Sequence, residues 1–143
     1  MNKILKLGCL TILIVFLVIV GMCSYGLYKS KTIYEPQLKP HIDNIVVYYN
    51  ANDYDSIYDK FVSDVKLNIS KERNRELTQK YFELTGKILI GDSQGINYKN
   101  MNGTETISLA YKYTGEKCSS VIAFSYIKTS SVWQLMGYNI NIK

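Results

Sequence analysis

The chain has 143 residues, with 17 Lys and Arg against 12 Asp and Glu, for a net charge of +5. These charges are interspersed, with no basic block or Arg-rich arm, which argues against a nucleic-acid footprint. One histidine and three cysteines (Cys9, Cys23 and Cys118), with no Cys-x-x-Cys pair, argue against a Cys/His zinc site within one chain.

No charged residue lies between Lys6 and Lys29. The run from Leu7 to Tyr28 matches the ~20 residues a helix needs to cross a bilayer, and Leu10 to Val20 is apolar on every face. Tyr25 and Tyr28 fall where an interfacial aromatic belt belongs. Residues 1–28 are thus expected to be an N-terminal tail and transmembrane anchor, with 7–28 in lipid. Two other readings stay open. A cleaved signal peptide would exit through Gly21 to Gly26, which lacks an A-x-A pattern. A lipoprotein signal would acylate Cys23, although Met22 stands where a small residue belongs. Lys3 and Lys6 nearly balance Lys29, Lys31 and Lys39, so charge bias hardly sets orientation. The short tail favours a cytoplasmic N-terminus, and hence a single-pass protein of the cytoplasmic (inner) membrane with its domain extracytoplasmic.

Residues 29–40 read as a juxtamembrane linker kept extended by Pro36 and Pro40. The domain then occupies 41–143. Ile42, Ile45, Val46 and Tyr49 recur at helical spacing. A second helix is expected to carry Ile57, Tyr58, Phe61, Val62 and Val65 on one face, capped by Asp53 or Asp55. A third runs from an N-cap at Ser70 to Gly86, with Leu77, Tyr81, Leu84 and Thr85 on its inner face and Asn74 solvated.

After Lys87 the period becomes two. Four strands follow: about Ile88 to Tyr98 with a bulge at Gly91 or Gly95, Thr104 to Tyr113, Cys118 to Lys128, and a last strand in which Met136, Tyr138, Ile140 and Ile142 alternate. Asn102-Gly103 is a strong hairpin signal. Leu77, Tyr81, Ile107, Leu109, Phe124 and Leu135 are expected in the core. The predicted class is α+β: an N-terminal transmembrane helix, then three helices packed on a curved four-stranded antiparallel sheet.

Three segments carry a family resemblance: Asn52-Asp-Tyr-Asp-Ser-Ile-Tyr-Asp-Lys-Phe61, Ser120-Val-Ile-Ala-Phe-Ser-Tyr126 and Val132-Trp-Gln-Leu-Met-Gly-Tyr-Asn-Ile140. With the helices-first order, they resemble the nuclear transport factor 2-like superfamily, in particular its secreted and membrane-anchored bacterial members of uncharacterised function. The resemblance covers about Ile42 to Ile142. It implies a cone-shaped fold with an open mouth, a frame used by enzymes, adaptors, scaffolds and binding modules alike. The chain departs from the enzyme members in having no recognisable acid/base set.

Among single residues, His41 reads as an exposed linker histidine and Cys118 as a small buried residue. Asp53, Asp55, Asp59 and Asp64 fit helix capping and a solvated face, because the glycine and distal glutamate of a calcium loop are misplaced. Tyr98, Tyr111, Tyr113, Tyr126, Trp133 and Tyr138 are the candidates for partner or ligand binding, since tyrosine supplies contact area at modest entropic cost. No catalytic residue, cofactor or metal is expected. The functional expectation is a membrane-tethered, non-catalytic binding module or scaffold acting through protein–protein contacts in the envelope. The alternatives are an immunity-type inhibitor of a toxin in the same compartment, and a small-molecule-binding or catalytic cone pocket.

Overall fold

The computed structural model describes residues 13–21, 24–25 and 28–142. Residues 13–21 are helical, with Leu13 to Val20 exposed. No helix among the described residues is long and apolar enough to cross a membrane. This finding overturns the transmembrane anchor over 7–28 and the single-pass membrane location built on it. Residues 7–12, 22–23 and 26–27 lie outside the described residues, and with them the lipidation alternative at Cys23.

The expected extended linker is also corrected. Ser30–Tyr34 forms a π-helical turn that runs directly into helix α1, Glu35–Asn50. Pro36 sits in the first helical turn, where no backbone donor is required. Pro40 lies inside the helix, at a cost of about 3 kcal/mol for the lost bond and ring clash. Leu38, fully buried, extends the apolar stripe of Ile42, Ile45 and Tyr49 backwards, and burial of one leucine returns about 1.5–3 kcal/mol.

In place of the expected second helix there are two short ones, α2 (Tyr54–Asp59) and α3 (Ser63–Asn68). Asp53 caps α2 by accepting from the Ser56 amide at 3.2 Å. Between the two helices the chain pairs with the edge of the last strand. Phe61 bridges Leu135 in parallel, and the Val62 amide donates to the Leu135 carbonyl at 2.8 Å. The open edge takes backbone bonds that a continuous helix would have kept for itself.

Helix α4, Lys71–Thr85, starts and stops as expected. The Ser70 hydroxyl accepts from the Arg73 amide, and Gly86 follows at φ +66°. Its buried face differs from the expectation. Asn74, Thr78 and Thr85 are inside, Tyr81 is half-buried, and Leu77 and Leu84 are exposed. The inward polar groups are satisfied there: Thr78 donates to the Asn74 carbonyl, Asn74 reaches the Tyr54 carbonyl, and Thr85 meets the Tyr49 hydroxyl at 2.7 Å.

Four antiparallel strands follow, β1 (Ile88–Met101), β2 (Thr104–Gly115), β3 (Ser119–Thr129) and β4 (Val132–Ile140), ordered β1-β2-β3-β4. The α+β class and the four-stranded antiparallel sheet thus stand, with four α-helices, α1 to α4, before the sheet among the described residues of 35–85 in place of three. Ile107, Leu109, Tyr111 and Tyr113 of β2 and Ile122, Phe124 and Tyr126 of β3 alternate toward the helices, all buried. Register shifts fall in β1 between Ile90 and Gly95, where the bulge was expected. A further shift between β3 and β4 pairs Ser125 with Gly137 but Tyr126 with Leu135. Met136 is the extra residue, so Leu135 and Tyr138 both turn inward and Met136 faces out, against the simple alternation read from the sequence.

Asn102 and Gly103 have φ of +54° and +83°, as a type I′ turn requires. The β3–β4 turn makes the same demand of two serines, Ser130 at +50° and Ser131 at +69°. A residue with a Cβ is disfavoured in that region. Ser131→Gly is expected to raise stability by about 1 kcal/mol, read as a higher midpoint in urea at unchanged slope.

Candidate functional site

A cavity of about 250 Å³, open to solvent on one side, lies between α1, the end of α2 and strands β3 and β4. His41, Asn44 and Ile45 line it from α1, Asp59 and Lys60 from the end of α2, and Tyr126, Trp133, Gln134 and Leu135 from the sheet. Each is placed by a feature already described. The helical course through Pro40 puts His41 on α1 rather than on a linker. The Phe61–Leu135 bridge sets Lys60 beside β4, its carbonyl accepting from the Leu135 amide at 3.3 Å. The bulge at Met136 turns Leu135 inward.

Tyr126 stands on the helix-facing side of the sheet, the side the cavity occupies. It is only 2% exposed, and its hydroxyl is the one buried side-chain polar atom among the described residues with no hydrogen-bond partner. Burial pushes its pKa up, with the neighbouring Tyr111 adding to the shift, so the hydroxyl stays neutral and able to donate. A buried hydroxyl left unsatisfied costs about 1–3 kcal/mol, and this one is sealed in the core beneath the cavity.

The six aromatic candidates do not form one exposed surface. Tyr111, Tyr113 and Tyr126 are buried in the core, while Tyr98, Trp133 and Tyr138 are half-buried. Tyr111 donates to Glu35 at 3.0 Å, tying α1 to the sheet. Tyr113 meets the Cys118 sulfur at 3.3 Å and the Asn141 carbonyl at 3.2 Å, and Cys118 is half-buried beside it. Tyr138 pairs with Thr78 under α4. Only Tyr126 and Trp133 reach the cavity.

Tyr98 and Trp133 belong to a second group, which locks the π-helical turn onto the sheet. Tyr34 stacks on Tyr98 at 5.1 Å and meets Trp133 edge-on at 5.5 Å. Tyr34 and Tyr98 both donate to Glu105 Oε2, at 3.1 and 3.0 Å, and Lys128 donates to Glu105 Oε1 at 3.0 Å. Burial, with the bonds to Tyr34 and Glu105, pushes Tyr98 up to about 12. Lys128, with the two tyrosine hydroxyls, holds Glu105 below its ordinary value near 4.5. A depressed carboxylate stabilises the fold above its ordinary range, and that contribution is lost as pH falls through the lowered value. Acidification below about pH 4.5 is therefore expected to loosen the group and red-shift the emission of Trp133, the only tryptophan. Glu105→Gln should remove this acid-side change.

The acids behave as caps and surface partners. Asp55 takes a two-pronged contact from Arg75 at 2.7 and 2.8 Å, which with Lys71 holds its carboxyl below the usual range. Asp59 faces Lys71 at 3.8 Å. The sequence offered no signal for the cavity itself, because its lining comes from four separate segments. Comparison with protein-family models and with curated proteins gives no match to this chain.

Proposed function

We propose that the chain is a non-catalytic binding module whose site is the cavity under α1. One observation carries this reading: a pocket in which Trp133, Leu135 and Ile45 stand beside the polar side chains of His41, Asn44, Asp59, Lys60 and Gln134. An apolar pocket with a few converging polar groups is the usual form of a small-molecule site. The tyrosines whose pKa is shifted are all raised, which favours hydroxyls that bind over hydroxyls that exchange protons at neutral pH. The helices-first order followed by an antiparallel meander supports the resemblance to the nuclear transport factor 2-like superfamily. Screening a panel of small polar compounds against the full chain by ligand-observed NMR tests the reading. Binders should be recovered chemically unchanged and should lose affinity in Gln134→Ala. Turnover of a bound compound would replace this reading with an enzyme.

A second reading, recognition of a protein partner, is favoured by an apolar groove on the other side of β4. Val62, Val65, Ile69, Ile127 and Met136 line it, and Leu67 beside it is 84% exposed. Cross-linking followed by mass spectrometry separates its two forms. A scaffold would appear in a larger assembly, and an inhibitor of a toxin in a tight one-to-one complex.

A further inference from the structure

The cavity beside β4 is lined by donors and acceptors together. Asp59 supplies one negative charge and Lys60 one positive, so the lining is balanced and suits a neutral ligand. Asn44 and Gln134 each carry an amide, whose carbonyl accepts and whose NH₂ donates, and neither makes a side-chain hydrogen bond among the described residues. The Asp59 carboxylate accepts, with Lys71 standing 3.8 Å from it. Ile45 and Leu135 are only 3% and 2% exposed, so the apolar surface open to a ligand is that of the half-buried Trp133. Tyr34, edge-on at 5.5 Å, and Lys128, 5.6 Å over the ring, fix the place of Trp133.

Peptide backbone and sugar hydroxyls both offer donors and acceptors side by side. A peptide is commonly read by pairing with a free strand edge. Here that edge is taken: the Leu135 amide donates to the Lys60 carbonyl at 3.3 Å, and the Leu135 carbonyl accepts from the Val62 amide at 2.8 Å. A volume of about 250 Å³, below the roughly 300–1,000 Å³ of sites for drug-sized ligands, suits one small ring rather than a length of chain. A pyranose ring meets the remaining features. Its adjacent hydroxyls both donate and accept, as side-chain amides and a carboxylate require. Its C–H face is slightly positive and rests well on the electron-rich face of an aromatic ring.

We propose that the cavity takes a single neutral sugar ring, its hydroxyls held by Asn44, Gln134 and Asp59 and its C–H face against Trp133. This rests on the reading of the cavity as the binding site. The probes are the methyl glycosides of glucose, galactose, mannose and N-acetylglucosamine, with cyclohexanol as a ring that lacks adjacent hydroxyls. Binding to the full chain is read by saturation-transfer NMR and by the emission of Trp133, the only tryptophan. At least one glycoside should bind, shift that emission and receive saturation at its ring C–H protons, with cyclohexanol at least about ten-fold weaker. Asn44 and Asp59 are exposed, so Asn44→Ala and Asp59→Ala should leave the circular dichroism unchanged. Each should weaken the glycoside about five-fold or more, through the hydrogen bonds it removes. Failure of every glycoside to bind, while other panel compounds bind and depend on Gln134, would overturn the sugar class and leave the cavity as the site. Cyclohexanol binding as tightly as the glycosides would do the same. Glycoside binding that survives Asn44→Ala, Asp59→Ala and Gln134→Ala would overturn the cavity reading together with the proposal.

Discussion

Phe124→Ala is expected to lower stability by about 3–5 kcal/mol, the largest effect of any single truncation in the sheet. Phe124 has no exposed surface, lies at the middle of β3 opposite Leu109, and packs its ring against Tyr138 at 6.5 Å. Leu109 is equally enclosed, so the two strands cannot close over the vacated volume without moving each other. Urea denaturation of wild type and variant measures the difference. Phe124→Leu, which retains most of the volume, should recover more than half of the loss. A cost below about 1 kcal/mol for Phe124→Ala would place Phe124 outside the principal core.

Gly86→Ala should cost about 3 kcal/mol, from two separable causes. Gly86 sits at φ +66° and ψ −157°, a region that in practice only glycine occupies, and an alanine held there is strained by about 1–3 kcal/mol. An added Cβ would also lie 2.5 Å from Glu116 Oε2 and 2.8 Å from Glu116 Cβ. That approach displaces a side chain whose carboxylate accepts from the Lys87 amide, adding about 1–3 kcal/mol. Glu116→Gly removes the contacting atoms and leaves the backbone demand in place. Gly86→Ala measured in that background should therefore cost less than in wild type, but not zero. Equal costs in the two backgrounds would show that the contact with Glu116 contributes nothing.

Where periodicity had one cause, it was a good guide. The alternation in β2 and β3, the Asn102-Gly103 turn and the Ser70 cap all follow from local chemistry, and each is found where it was expected. Where two demands competed, periodicity misled. Leu77 fits an apolar stripe on α4, yet Thr78 and Asn74 take the inner face because Tyr138 and the Tyr54 carbonyl supply their bonds. Phe61 and Val62 fit a helix, yet the edge of β4 claims their backbone. Pro36 and Pro40 signal an extended chain, yet Leu38 and the Glu35–Tyr111 bond hold a helix through them. The apolar run after Lys6 reads as an anchor on hydropathy alone, and no described helix is long enough to serve as one. Tyrosine richness pointed toward binding, but only Tyr126 and Trp133 of the six candidates reach the cavity. Its remaining lining, from His41 to Gln134, becomes adjacent only through folding.

The pairing of Phe61 and Val62 with Leu135 has a consequence for how copies of this chain meet in a crowded solution. An open sheet has two edges, and each is a template on which another chain can extend the sheet. On the β4 side, Lys60 to Val62 occupy the backbone groups of Leu135. On the β1 side, the Asn50 amide bonds both the N–H and the carbonyl of Ile88 at 2.8 Å, as a neighbouring strand would. Beyond it the register shifts between Ile90 and Gly95 break the straight run a second chain would need. Each border of the sheet is therefore blocked at one point, Leu135 on β4 and Ile88 on β1, without a fifth strand. Asn50→Ala should thus make the chain more prone to aggregate as well as less stable.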